Sequence, residues 1–142
     1  MRTRGVVAAR VVWVRSHPNA ERVWIADVDW GREEPVQVVF GGPPIVAVND
    51  VVPFAPPGSL LPNGKKMRRR KYRGEVSNGM FCSLAELGWD PQGPDEVVLL
   101  RSDLVPGTSL DHVRWRLVVR EPCPRAQLIR MAHARRLLGQ AS

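Results

Sequence analysis

Over most of the first eighty residues, short apolar runs rich in β-branched side chains are separated by turn residues, the pattern of short strands. Residues 5–15 (GVVAARVVWVR) are rich in β-branched side chains and predict a long first strand. A turn follows at Ser16-His17-Pro18-Asn19-Ala20, because Pro18 pushes His17 out of the helical region and Asn19 favours turn geometry. Residues 22–30 (RVWIADVDW) predict a second strand, with Trp24, Ala26, Val28 and Trp30 on one face and Val23, Ile25, Asp27 and Asp29 on the other. Gly31-Arg32-Glu33-Glu34 is a hairpin connection, residues 35–40 a third strand, and Gly41-Gly42-Pro43-Pro44 ends it. Residues 51–55 (VVPFA) predict a fourth strand, and Pro53 within it argues for an edge or a bulge. Residues 74–82 (GEVSNGMFC) read as the closing strand. Ser83 and Glu86 have the spacing of a capping box, opening a short helix that Gly88 stops, and residues 96–100 form a further short strand.

Short strands separated by turn signals about every ten residues predict an all-β fold, a five-stranded antiparallel barrel of the oligonucleotide-binding (OB-fold) kind. Such barrels take ligand on one open face and the loops at its rim. The tail departs from this pattern. Residues 114–120 (RWRLVVR) alternate, with Trp115, Leu117 and Val119 opposite arginines, and predict a strand. Pro122-Cys123-Pro124 breaks it, and residues 125–138 form an amphipathic helix with Leu128, Met131, Ala134 and Leu138 as its apolar stripe. The expected organisation is therefore a barrel domain over residues 1–111 and a C-terminal strand–helix extension over residues 112–142. The extension either docks on the barrel or serves as a surface for a homodimer or another protein.

Thirteen prolines and twelve glycines in 142 residues oppose a helical bundle. No apolar run approaches the length of a membrane span. The Met-Arg-Thr-Arg-Gly start leads into alternation rather than an apolar stretch, so no secretory leader is expected and the expected location is cytoplasmic. The net charge of +7 is unevenly placed. Residues 61–80 carry Lys65, Lys66, Arg68, Arg69, Arg70, Lys71 and Arg73 against only Glu75, and residues 114–142 carry seven arginines against Glu121. The span between these islands is acidic. Crowded cations repel one another unless a polyanion answers the field. A solvated loop, a nuclear-localisation signal and a membrane-surface patch are the generic readings of such a run.

Catalysis finds little support. The chain has no phosphate-binding loop, GxGxxG or HExxH motif, and acid pairs such as Glu33/Glu34 are adjacent, so local geometry points them apart. The two cysteines, Cys82 and Cys123, form no CxxC, and three scattered histidines give no metal-ligand spacing, so neither a metal nor another cofactor is expected. Cys82 reads as buried and unreactive, Cys123 as exposed. At least three of the five tryptophans are expected in the core, since the chain has only one Tyr and three Phe to fill it.

Three segments together resemble a known family. His17-Pro18-Asn19-Ala20-Glu21-Arg22-Val23 resembles the HPNADRL turn of tRNA-binding OB-fold domains. Phe40-Gly41-Gly42-Pro43-Pro44-Ile45-Val46 resembles their CGAPNV segment, with Phe40 in place of Cys and Pro44 in place of Asn. Pro57-Gly58-Ser59-Leu60-Leu61-Pro62, Lys71-Tyr72-Arg73-Gly74 and Ser77-Asn78-Gly79-Met80-Phe81-Cys82-Ser83, then Glu86-Leu87-Gly88, resemble PGxxLP, KxRG, SxGMxCS and ELG. Such domains occur as stand-alone tRNA-binding proteins, as appendages of methionyl- and tyrosyl-tRNA synthetases, and in the beta subunit of bacterial phenylalanyl-tRNA synthetase. Pro106-Gly107-Thr108-Ser109-Leu110 and the arginine-rich tail resemble the beta-subunit continuation, although Pro122-Cys123-Pro124-Arg125-Ala126 replaces its PNRAD.

The resemblance implies a non-catalytic module that grips structured tRNA by shape and backbone and delivers it to a partner enzyme. The alternative is a synthetase-derived scaffold or dimerising subunit with little RNA affinity. Lys65, Lys66, Arg68, Arg69, Arg70, Lys71 and Arg73 are the candidate phosphate contacts, strand alternation dividing them between two faces. Ser77 and Asn78 are candidate sugar or base-edge contacts, with turn formation as the other reading of Asn78-Gly79. His17 and Asn19 are candidates at the rim turn. Met80, although at a signature position, reads as core.

Overall fold

In the computed structural model, which describes residues 2–42 and 46–120, the chain folds into a nearly closed antiparallel barrel. Its strands are β1 (Val7–Ser16), β2 (Val23–Asp29), β3 (Val36–Gly41), β4 (Val51–Ala55), β5 (Arg69–Tyr72), β6 (Glu75–Asn78) and β7 (Met80–Phe81). Five of them form one sheet in the order β3-β2-β1-β4-β7, and β5 and β6 form a separate hairpin. The seam beside β3 is closed by β6 through side chains rather than a ladder. Gln37 Nε2 donates to the Val76 carbonyl at 2.8 Å, the Val39 N–H donates to Ser77 Oγ at 2.9 Å, and Asn78 Nδ2 donates to the Gln37 carbonyl at 3.2 Å.

Two apolar cores share β1 and β4. Ala9, Val11, Val52 and Phe54 face the barrel interior with Ala26, Val28, Val38 and Phe81, and Trp24 and Trp30 pack against this group, as the alternation of β2 predicts. Ala8, Val51 and Ala55 point the other way, into a second core with Leu61, Met67, Leu100 and Leu110. Both faces of β4 are therefore covered, and all five of its residues are buried. Trp89 packs against the second core, whereas Trp13 is 57% exposed, so three tryptophans support the two cores without being fully buried.

Several elements differ from the pattern-based expectation. Pro53 lies in an internal strand, between β1 and β7. It is tolerated because its partner Ala8 turns its own N–H and C=O away, bonding Thr108 and Gly107, so β1 asks Pro53 for no donor. The single closing strand is divided at Gly79 (φ +104°), where the chain leaves the β3 seam to pair with β4. Residues 83–88 form the capping box, with the Ser83 N–H donating to Glu86 Oε1 at 2.9 Å and the Glu86 N–H to Ser83 Oγ at 3.2 Å, but continue only as turns. Residues 96–100 pair only at Leu100, with Val51 and Val119.

The expected strand over residues 114–120 is a one-turn helix, α1 (Trp115–Val118), followed by the single bridge at Val119. Only Val119 finds a strand edge, so the preceding backbone closes its hydrogen bonds locally, from Leu117 to Arg114 and from Val119 to Trp115. Trp115 stacks flat on Trp89 at 6.2 Å, and Leu117 is 63% exposed. The expected helix over residues 125–138 lies outside the described residues. Among those described, no helix is long and apolar enough to cross a membrane.

Candidate nucleic-acid interface

The basic run is not a loop throughout. Asn63 Oδ1 accepts from the Lys65 N–H at 2.8 Å and sets a turn, after which Met67 is drawn into the second core, with its N–H donating to the Ser59 carbonyl and its carbonyl accepting from Gly58. Residues 69–72 then pair with β6, Arg69 opposite Asn78 and Tyr72 opposite Glu75. Arg73 (φ +45°) and Gly74 (φ +90°) turn the hairpin in left-handed geometry, as a tight two-residue connection requires. The buried Met67 and the β5–β6 ladder thus hold the cations in place, while Lys65, Lys66, Arg68, Arg69, Arg70, Lys71 and Arg73 are all exposed.

No carboxylate among the described residues pairs with any of these seven cations. The one acid in the run, Glu75, is turned to Arg15 at 3.6 Å. Lys65, Arg68, Arg70 and Lys71 line a cleft of about 510 Å³ against β2 and β3; Arg69, Lys66 and Arg73 do not. Arg69 lies outside the cleft between Arg68 and Arg70, as alternation expects, but the adjacent Lys71 lines it as well, so alternation does not divide the run cleanly between two faces. The cleft's other lining is largely apolar: Val23, Val39, Phe40, Met67, Met80 and the ring of Tyr72.

The remaining predicted residues divide by burial. His17 is 4% exposed; its Nδ1 accepts from the Asn19 N–H at 2.9 Å, so Nε2 carries the proton and donates to the Tyr72 carbonyl at 2.9 Å. His17 therefore clamps the turn after β1 to the end of β5. Asn19 is exposed beside it, and its carbonyl accepts from Arg73 Nη1 at 3.3 Å. Ser77 is buried with both hydrogen-bonding directions occupied, accepting from Val39 and donating to the Gly79 carbonyl at 2.8 Å. Asn78 is half-buried on the β3 seam. Met80 is half-buried as well, packing on the second core and lining the cleft.

Tyr72, 44% exposed among the cations, is the residue that sequence reasoning passed over in favour of the tryptophans. Its signal was an aromatic interleaved with basic side chains. Within the second basic island, Arg116 lies over the Trp115 ring at 4.9 Å and Arg120 reaches Asp50 at 3.5 Å, so part of that charge is engaged. Burial pushes the Cys82 thiol far above its ordinary value, with the Glu86 carboxylate adding to the effect. Among the described residues, no cluster of His, Cys, Asp and Glu could hold a metal ion.

Residues 6–109 match a family described as "Putative tRNA binding domain". The chain is 37% identical over 110 residues to the phenylalanine–tRNA ligase beta subunit of Clostridium tetani, a match covering 78% of this chain and 14% of that one. It is 43% identical over 107 residues to the beta subunit of Anaeromyxobacter dehalogenans, covering 75% and 13%, and 48% identical over 84 residues to that of Halalkalibacterium halodurans, covering 59% and 10%. The chain therefore spans about a seventh or less of the length of these relatives. Among solved structures it resembles the C-terminal domain of Plasmodium vivax p43, with a TM-score of 0.52 over 75% of this chain and 58% of that one at 17% identity, a likeness of fold.

Proposed function

The chain belongs to the tRNA-binding domain family, and we propose that it is a non-catalytic module that grips structured tRNA through the cationic face of β5 and the 65–68 segment and delivers it to a partner enzyme. The observation that carries this reading is the set of seven exposed cations with no carboxylate partner among the described residues, fixed by a ladder and a buried Met67. Such an arrangement leaves field unneutralised where a phosphate backbone would answer it. Arginine's planar fork and lysine's point charge meet phosphates without reading sequence, so the module recognises where the backbone runs rather than which bases it carries.

Within this reading about four to five phosphates are met at once by cations drawn from Lys65, Lys66, Arg68, Arg69, Arg70 and Lys71, and Arg73 and Asn19 extend the surface at the rim turn. Asn78 lies near enough to the hairpin to bond a sugar. His17 and Ser77, whose polar atoms are already engaged, act by holding the hairpin against the barrel. The binding domain occupies residues 1–111, and residues 112–142 supply the contact to a synthetase-like partner or a second copy.

A gel shift of the purified chain with bulk tRNA at moderate salt tests the reading. A complex is expected with a Kd at or below about 10 μM, the tight side of generic phosphate binding. No complex at tens of micromolar would instead favour a scaffold that has lost RNA affinity.

A further inference from the structure

We propose that the cleft between β2–β3 and the basic hairpin takes one unpaired nucleotide of the bound RNA, its base between the apolar walls and its phosphate on the cationic lip. The inference rests on the reading of the chain as an RNA-binding module and goes beyond it, because phosphate neutralisation alone needs only a charged surface. The cleft is more than that. Its volume of about 510 Å³ lies within the range of small-molecule pockets, roughly 300 to 1,000 Å³, and suits a base with its ribose.

Val23, Phe40, Met67 and Met80 give it apolar walls, and Tyr72 presents an exposed aromatic ring among the cations. An aromatic ring and polarisable methionines suit the π-face of a base. No carboxylate lines the cleft, while Lys65, Arg68, Arg70 and Lys71 do, so an aromatic ring joined to an anion, as in a nucleotide, satisfies both halves. A base inside a duplex has its faces covered by its neighbours and cannot enter; a loop, bulge or terminal nucleotide can.

The hydrogen-bonding chemistry makes the site tolerant of base identity. Of the side-chain hydroxyls in the lining, that of Ser77 is engaged with Val39 and Gly79, leaving only that of Tyr72. No lining side chain is a carboxamide or carboxylate, and with the arginines and lysines on the phosphate no side chain but Tyr72 is left to read a base edge.

The test compares the full chain with three RNAs at one salt concentration: bulk tRNA, a short single strand carrying one 2-aminopurine, and a blunt duplex of the same length. The single strand is expected to bind more tightly than the duplex, to compete with tRNA, and to lose 2-aminopurine fluorescence as the base stacks. Tyr72→Ala is expected to weaken single-strand binding about five- to fifty-fold and relieve the quenching, with Tyr72→Phe retaining both. Val23→Trp, which fills the cleft from β2 without removing a cation, is expected to act like Tyr72→Ala. Equal affinity for single strand and duplex while tRNA still binds, or unchanged quenching in folded Tyr72→Ala and Val23→Trp proteins, would overturn the inference and leave the tRNA reading standing. Failure of the wild-type chain to bind tRNA at all would remove the reading beneath it, and the inference with it.

Discussion

Both ring nitrogens of His17 are engaged inside the protein, one by Asn19 two residues on and the other by the Tyr72 carbonyl 55 residues away. Truncation to alanine removes two hydrogen bonds that tie the turn after β1 to the end of β5, at a cost of about 1–3 kcal/mol together. His17→Ala should therefore lower the unfolding free energy by that amount, read as a lower urea midpoint with an unchanged m-value; an unaltered midpoint would show that the turn holds without its clamp. In sequence His17 looks like an accessible rim residue, because the partner that buries it is distant and belongs to the backbone. Ser77 is misleading for the same reason: its partner Val39 is 38 residues away. Cys82 was legible, since it follows an apolar pair and ends buried in the second core. In a Cys123→Ser background its thiol should resist a disulfide reagent in the native state and react fully in denaturant. Its raised pKa means that the folded state disfavours the thiolate. This contribution to stability is complete below the ordinary thiol value of 9.0 and is lost as pH rises beyond it toward the raised value.

Gly79 decides the path of the chain between the seam and the sheet. Its φ of +104° is costly for an L side chain, and a Cβ there would collide with the Ala55 carbonyl oxygen, which β4 cannot move. Gly79→Ala should cost more than about 3 kcal/mol, by strain and overlap together. Gly74, at the exposed hairpin turn, shares the positive φ but has open space around it, so Gly74→Ala should cost only about 1–2 kcal/mol. Thermal unfolding of the two variants measures the difference, and similar losses would contradict this account of the kink.

Strands β1 to β4 were legible from β-branched content between turn signals, and β2 also from its alternation. Strand β5 was not, because its four residues are all exposed and carry no apolar face for the pattern to reveal. Residues 114–120 had the alternation and formed no strand. Period tells which residues would share a face but not whether a free edge waits to pair with them.

At the scale of the molecule, the barrel's second core lies outside the sheet and depends on chain beyond the family match. Val113, Val118 and Val119 pack against it, and Arg120 reaches Asp50. Removing residues 112–142 should therefore uncover apolar surface and produce association or lowered stability by light scattering and denaturation; a monomer of unchanged stability would show that the tail contributes nothing to the fold.

The central claim also belongs to this scale: the fixed cations of the β5 hairpin grip RNA by its phosphates. Affinity for tRNA should then fall linearly on a log–log salt plot with a slope of roughly −3 to −4.5, each of about four to five phosphates contributing about 0.7 to 0.9. Arg68 and Arg70 share the cleft, so their joint replacement by alanine should flatten the slope by about 1.4 to 1.8 and weaken different tRNAs equally. A folded Arg68→Ala/Arg70→Ala protein that keeps the wild-type affinity and slope would contradict the claim.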